Sequence, residues 1–231
     1  GQVDVVSVLL KQKDILVNQA DKEGESALHE ACGNGHVDVV RLLLARKEIQ
    51  TNQAAKDGAT PLFIASQEGH VVVVQLLLAK KEIQTNQAAK DGSTPLYIAC
   101  QYGHVDVVRL LLTRKEIQIN QALEDGSTPL NIACQEGHVV VVQLLLAKKE
   151  IQTNQAAKDG STPLYIACQY GHVDVVRLLL TRKEIQINQA DADGTTPLCI
   201  TCQEGHVDIV RLFLARKEIQ INQATKGGAT P

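Results

Sequence analysis

Two copies of an eleven-residue stretch, TPLYIACQYGH at 94–104 and 162–172, each gather two tyrosines, a cysteine and a histidine. Such side chains can ligate a metal, form a redox couple or exchange protons. Cys199-x-x-Cys202 is a second candidate, because its spacing puts Cys199 in the first turn of a helix, where the terminal field favours a thiolate. Recurrence decides between chemistry and architecture. His36, His70, His104, His138, His172 and His206 stand 34 residues apart, and Cys32, Cys100, Cys134, Cys168 and Cys202 form a parallel column completed by Ser66. Neighbouring copies of a packed helix lie about 8–10 Å apart, whereas zinc needs ligand atoms at about 2.0–2.3 Å. One column therefore cannot share an ion. Each histidine is read as bonding backbone at the turn it occupies, and the cysteines as small buried thiols. Position 199 holds His29, Phe63, Tyr97, Asn131 and Tyr165 in the other copies, so a redox pair has no fixed partner there. No phosphate-binding loop, nucleophile elbow or HExxH motif occurs. The chain is read as not an enzyme, with no catalytic residue, metal ligand or cofactor.

What positions these residues is a repeat. Gly24, Gly58, Gly92, Gly126, Gly160, Gly194 and Gly228 keep the same 34-residue spacing, and residues 67–122 recur unchanged at 135–190. A fixed register over the whole chain is the mark of a solenoid. Within one copy, Thr94 is placed to cap a helix, Pro95 suits its first position and Gly103 its C′ position. His104 leads into VDVVRLLLTR, where Val105, Val108, Leu111 and Leu112 recur at helical spacing. KEIQINQALEDGS then runs without helical period to Gly126, where the chain must reverse. The repeating element is helix, short turn, helix and a hairpin-like excursion.

The TPLYIA and GHVDVV motifs resemble the ankyrin repeat, whose signature is T-P-L-H-x-A. TPLFIA at 60–65, TPLYIA at 94–99 and 162–167, and TPLNIA at 128–133 carry the match; TPLCIT at 196–201 and SALHEA at 26–31 are weaker copies. The resemblance implies an all-α ankyrin-repeat solenoid of antiparallel helix pairs with β-hairpin-like loops. It divides the chain into a partial repeat at 1–20, repeats at 21–54, 55–88, 89–122, 123–156, 157–190 and 191–224, and a truncated start at 225–231. The Asp that opens the family's hairpin is present as Asp21 and Asp191 but replaced by Ala55, Ala89, Leu123, Ala157 and Thr225, so those tips are expected to be less tied by side chains.

A scaffold's specificity lies in its drifting columns. Counting about 100° per residue from Leu96, Ile98 falls near 200° and Tyr97 bisects the exposed arc, with Gln101 beside it and Tyr102 at the helix end. All four tyrosines (Tyr97, Tyr102, Tyr165, Tyr170) and Phe63 occupy these two columns. Tyrosines at an interface bury area while keeping a polar handle. Two readings stay open for Tyr97 and Tyr165, exposure in a groove or packing beneath the hairpin in place of the family's His. By the resemblance, the hairpin tips and the face of helix one bind a partner protein or peptide. The residues named for this are Phe63, Tyr97, Gln101, Tyr102, Asn131, Glu136, Tyr165, Gln169, Tyr170 and the tip pairs Lys90–Asp91 and Lys158–Asp159. Tyrosine-bearing copies alternate with Glu68, Glu136 and Glu204, which suits a segment carrying basic residues between apolar ones. The alternative is an architectural or engineered spacer without a particular ligand, which the 56-residue identity favours.

Composition narrows the partners further. The 231 residues carry a net charge of −3, with 44% apolar residues, no Trp or Met and 3% aromatics. Twelve of the 23 basic residues pair at the end of helix two, as in Arg114–Lys115, each followed by a glutamate such as Glu116. There they offset exposed carbonyls and the helix dipole, and no nucleic acid is expected. No run reaches the roughly 20 apolar residues of a membrane span, so no membrane insertion is expected. Six cysteines are too few for a disulfide framework, and the expected setting is intracellular and cytoplasmic. The opening residues lack a signal peptide's features, and without an initiator Met the chain is read as a processed piece of a longer array. Uncapped ends, with Ile209, Leu212 and Phe213 near the last face, lead us to expect end-to-end self-association when it is isolated.

Overall fold

This computed structural model describes residues 2–231; Gly1, first residue of the opening partial repeat, lies outside them. The described residues form thirteen helices of seven or eight residues and no strand; Ala20 and Ser26 make a lone antiparallel bridge. Helices this short are marginal alone, so packing must hold them. The described residues divide into two compact halves, one ending at Gln118 and the other spanning Ile119–Pro231.

The N-terminal half holds α1 (Val3–Leu9), α2 (Ala27–Gly33), α3 (Val37–Leu44), α4 (Pro61–Gln67), α5 (Val71–Leu78), α6 (Pro95–Gln101) and α7 (Val105–Leu111). Helices α2, α4 and α6 stack as one layer, α1, α3, α5 and α7 as the other, and α2–α3, α4–α5 and α6–α7 pair between layers. The C-terminal half repeats this plan. Its helices are α8 (Pro129–Gln135), α9 (Val139–Leu146), α10 (Pro163–Gln169), α11 (Val173–Leu179), α12 (Pro197–Gln203) and α13 (Val207–Leu214), with α8, α10 and α12 in one layer. The columns Leu62/Leu96 and Val74/Val108 in one half, and Leu130/Leu164 and Val142/Val176 in the other, are almost wholly buried. Each leucine contributes about 1.5–3 kcal/mol.

The first helix of each pair is set by its ends. The hydroxyls of Thr60, Thr94, Thr128, Thr162 and Thr196 accept from the backbone N–H three residues on. In α2, Ser26 Oγ and N–H both meet His29 Nδ1, at 2.9 and 3.0 Å. Gly69 (φ +72°) and Gly103 (φ +69°) follow the helices in the left-handed conformation expected at C′.

Four sets of bonds join one pair to the next. His70 Nε2 donates to Gly33 O (2.9 Å), His104 to Gln67 O (2.7 Å), His172 to Gln135 O (2.7 Å) and His206 to Gln169 O (3.2 Å). The histidine thus secures the helix end of the preceding repeat and not only its own turn. Gly69 leaves room for it, since a Cβ there would meet the His104 ring at 2.6 Å. The basic ladder also reaches backward: Arg46 Nη1 donates to Leu10 O at 2.6 Å and Arg114 Nη1 to Leu78 O at 3.2 Å. The dipole being offset is therefore that of the neighbouring helix.

An asparagine ladder supplies the third set. Asn52 Nδ2 donates to Glu82 O (2.7 Å) while its Oδ1 accepts from Gln84 N–H (2.8 Å). Asn18 and Asn86 do the same in the N-terminal half, and Asn120, Asn154 and Asn188 in the other. At the tips, Lys90 N–H donates to Asp57 O (2.7 Å) and Lys158 N–H to Asp125 O (2.8 Å). The hairpins whose opening Asp is missing are tied by fewer backbone amides. Asp57, Asp91, Asp125 and Asp159, two residues further on, each accept the amide that closes the turn, while Asp21 and Asp191 accept two amides.

Candidate partner-binding surface

The column at the fourth position of TPLx lies in the interior. Phe63, Tyr97 (7% exposed), Asn131 and Tyr165 are all buried, as are His29 and Cys199. Of the two open readings for Tyr97 and Tyr165, packing beneath the hairpin is the one the structure has, and neither Phe63 nor Asn131 is available as a contact residue. The cause is the following hairpin, which lies over the arc that an isolated helix would expose. His29 Nε2 donates to Ala59 O at 3.3 Å, and Asn131 Nδ2 to Ser161 O at 3.4 Å. Phe63 packs with Ala59 and Ile98. Burial raises the Tyr165 hydroxyl well above the ordinary phenol range, and Asp191, which bonds it, adds to the rise.

The neighbouring column is on the surface. Tyr102 and Tyr170 are 53% and 52% exposed, and each ring stacks on the histidine two residues on, with centroids 6.1 Å from His104 and 6.4 Å from His172. Gln169 and Glu136 are exposed and Gln101 half-buried. Lys90, Asp91, Lys158 and Asp159 stand exposed at the tips. A helix of seven residues separates tip from Tyr102, about 10 Å at 1.5 Å per residue. The expected strip is therefore two patches, a charged one at the tips and an aromatic one beside the turns.

Burial disfavours the thiolate at most of the cysteines. Cys32, Cys100, Cys134 and Cys168 are buried; burial pushes Cys32 and Cys168 to about 12, the latter against a bond with Thr201. Cys199 is raised as well, by burial first and then by Cys202 and Asp191, so desolvation outweighs the helix-end field. Cys202 departs from its column in being exposed. Among the described residues no group of three His, Cys, Asp or Glu side chains is placed to hold a metal. Among them, too, no helix is long and apolar enough to cross a membrane.

One surface feature escaped the sequence reading. Val72 and Val140 are 45% and 49% exposed in the first turns of α5 and α9, where α3, α7, α11 and α13 carry Asp38, Asp106, Asp174 and Asp208. The signal was a departure from the column.

The model for three ankyrin repeats matches residues 1–55, 47–122, 79–157 and 118–191, and the single ankyrin repeat model matches 193–226. The chain belongs to the ankyrin repeat family. A search of curated protein sequences returns no match. Among solved structures, the human ASB11 ankyrin repeat domain is similar, with a TM-score of 0.76 and 25% identity over 89% of this chain and 90% of that one. Ankyrin repeats in general are protein–protein interaction modules. In this array the buried TPLx column takes the place of the family's His, and the exposed chemistry lies at the tips and turn ends.

Proposed function

We propose that this ankyrin array, with repeats beginning at residues 21, 55, 89, 123, 157 and 191, is a non-catalytic scaffold. It binds a partner protein or peptide through its hairpin tips and the face of helix one. The contact residues are Lys90, Asp91, Lys158 and Asp159 at the tips, and Gln101, Tyr102, Glu136, Gln169 and Tyr170 on the helices. Phe63, Tyr97, Asn131 and Tyr165 support the hairpins from below. The carrying observation is the pair of half-exposed tyrosines held on histidine rings, since large rigid side chains at a surface are what binding hot spots use. Five buried free thiols support an intracellular, cytoplasmic setting. Exposed Val5, Val8, Leu9 and Leu16 in one half, and Val207, Leu214 and Ile221 in the other, support end-to-end self-association. Ile209 and Phe213, expected near the last face, are buried.

The test is a pull-down with the parent chain and the Tyr102→Ala/Tyr170→Ala variant. Loss or weakening of a specific partner supports the reading; unchanged affinity for every partner overturns it. The 56 identical residues at 67–122 and 135–190 favour a second reading, a spacer with no ligand, which a parent chain that captures nothing would support. Sedimentation tests self-association, which requires the mean mass to rise with concentration.

A further inference from the structure

In α5 the first turn reads Val71-Val72-Val73-Val74, where α3 and α7 place Asp38 and Asp106 at the second position. Val73 and Val74 are core, but Val72 faces solvent. An acidic residue there would complement the helix dipole, so packing does not account for the valine. Two shallow cavities flank Val71. One, of about 220 Å³, is lined by Gly35, Gly69, His70 and Val72; the other, of about 250 Å³, by Gly69, Gly103, His104, Val105 and Asp106. Tyr102, stacked on His104, adjoins the second. A Cβ at Gly35 or Gly69 would meet the ring of His70 at 2.7 Å or of His104 at 2.6 Å, so the histidines sit close against the turns. Exposed acids surround the patch: Asp38, Glu68, which accepts from Gln67 Nε2 at 3.2 Å, and Asp106, whose own-helix Arg109 stands 4.0 Å away.

We propose that this turn-side patch docks a basic segment with an apolar centre from a partner protein, and that the chain carries two such docking sites. Val72, Tyr102, Glu68 and Asp106 form one site; Val140, Tyr170, Glu136 and Asp174 form the other. Apolar side chains within an acidic rim select a partner of opposite charge. The sites are chemically equal because residues 67–122 and 135–190 are identical, and each lies wholly within one half of the chain. Tyr170 stacks on His172 as Tyr102 does on His104. A segment of about six extended residues covers about two repeats of this face, at about 10 Å per repeat and 3.3 Å per residue. The inference rests on the protein-binding reading and adds Val72 and Val140 to its aromatic contacts beside the turns.

The experiment is titration calorimetry with a capped twelve-residue peptide, two arginines on each side of a Leu-Val-Leu centre, and a control with glutamates for the arginines. The expected result is two equal sites for the arginine peptide and at least tenfold weaker binding of the control. Val72→Asp/Tyr102→Glu places in the first site residues that the same columns already carry, as Asp106 and Glu136, so the fold is kept; melting curves check this. That variant is expected to reduce the stoichiometry from two to one, and adding Val140→Asp/Tyr170→Glu to abolish binding. No binding of the arginine peptide, equal binding of the control, or a stoichiometry unmoved by the paired changes overturns the proposal. Lys90→Glu/Lys158→Glu at the tips separates the two readings. If those changes alter binding and the turn-side ones do not, the docking site fails while recognition through the tips stands.

Discussion

The two ends of each repeat are joined to the next by different kinds of bond. At the tip, Lys90 N–H meets Asp57 O, backbone to backbone. At the turn, the His104 ring meets Gln67 O and lies over Gly69. A backbone tie leaves the side chain free to vary, and the tips of the six full repeats read Lys-Glu, Lys-Asp, Glu-Asp and Ala-Asp. A side-chain tie fixes two residues at once, and the turns that follow helix one all read Gly-His. Variable chemistry at the turn end is displaced to the residues on either side, Tyr102 and Val72.

Two glycine changes probe that contrast most strongly. Gly58→Ala puts a Cβ 2.8 Å from Lys90 N at φ +87°, and should cost about 3 kcal/mol in urea melts. Gly69→Ala should cost nearly as much in the parent, but only about 1–2 kcal/mol more than His104→Ala once the ring is gone. No side-chain deletion can relieve the tip clash, because the obstacle there is backbone. A strictly additive Gly69–His104 cycle would sink this account of the turn.

Next in size is Asn52→Ala, which removes a donor to Glu82 O and an acceptor for Gln84 N–H. It should lower stability by about 2 kcal/mol. Thr85 lies in the same kind of loop, buried, with its hydroxyl unpartnered, in a column that holds Ile119 and Ile187 elsewhere. Thr85→Val should therefore stabilise the chain by about 1 kcal/mol, and a drop in melting temperature would refute the reason given.

The smallest effect concerns pH. Burial holds the His29 imidazole below its ordinary value, against bonds to Ala59 and Gln53 that raise it. The unfolded chain then binds this proton more readily, and stability is lost as pH falls through about 6.5. His29→Asn, the residue already used as Asn131, should narrow the difference in melting temperature between pH 8 and pH 5.5. An unchanged difference would show that His29 carries no such burden.

Local chemistry made much of the fold legible. Thr94, Pro95 and Gly103 mark the helix they bound, and the Leu and Val columns mark the core. What lay beyond reach was any contact to the neighbouring repeat. Tyr97 sat on an open arc of one helix, which the next hairpin covers. The arginine ladder follows its own helix in sequence, but the carbonyls it bonds lie 36 residues back. The asparagines sat in a stretch without helical period, and their partners lie 30 and 32 residues ahead. Their 34-residue recurrence was the available signal.

Those separations have a further consequence. Each tie described here runs from one column to another in the adjoining repeat. Excising 34 consecutive residues brings the next copy of the same column to the cut, where every donor finds a chemically equivalent acceptor. An array tied in this way can change length in whole periods without needing a new kind of bond, and 56 residues copied in register need no compensating change elsewhere.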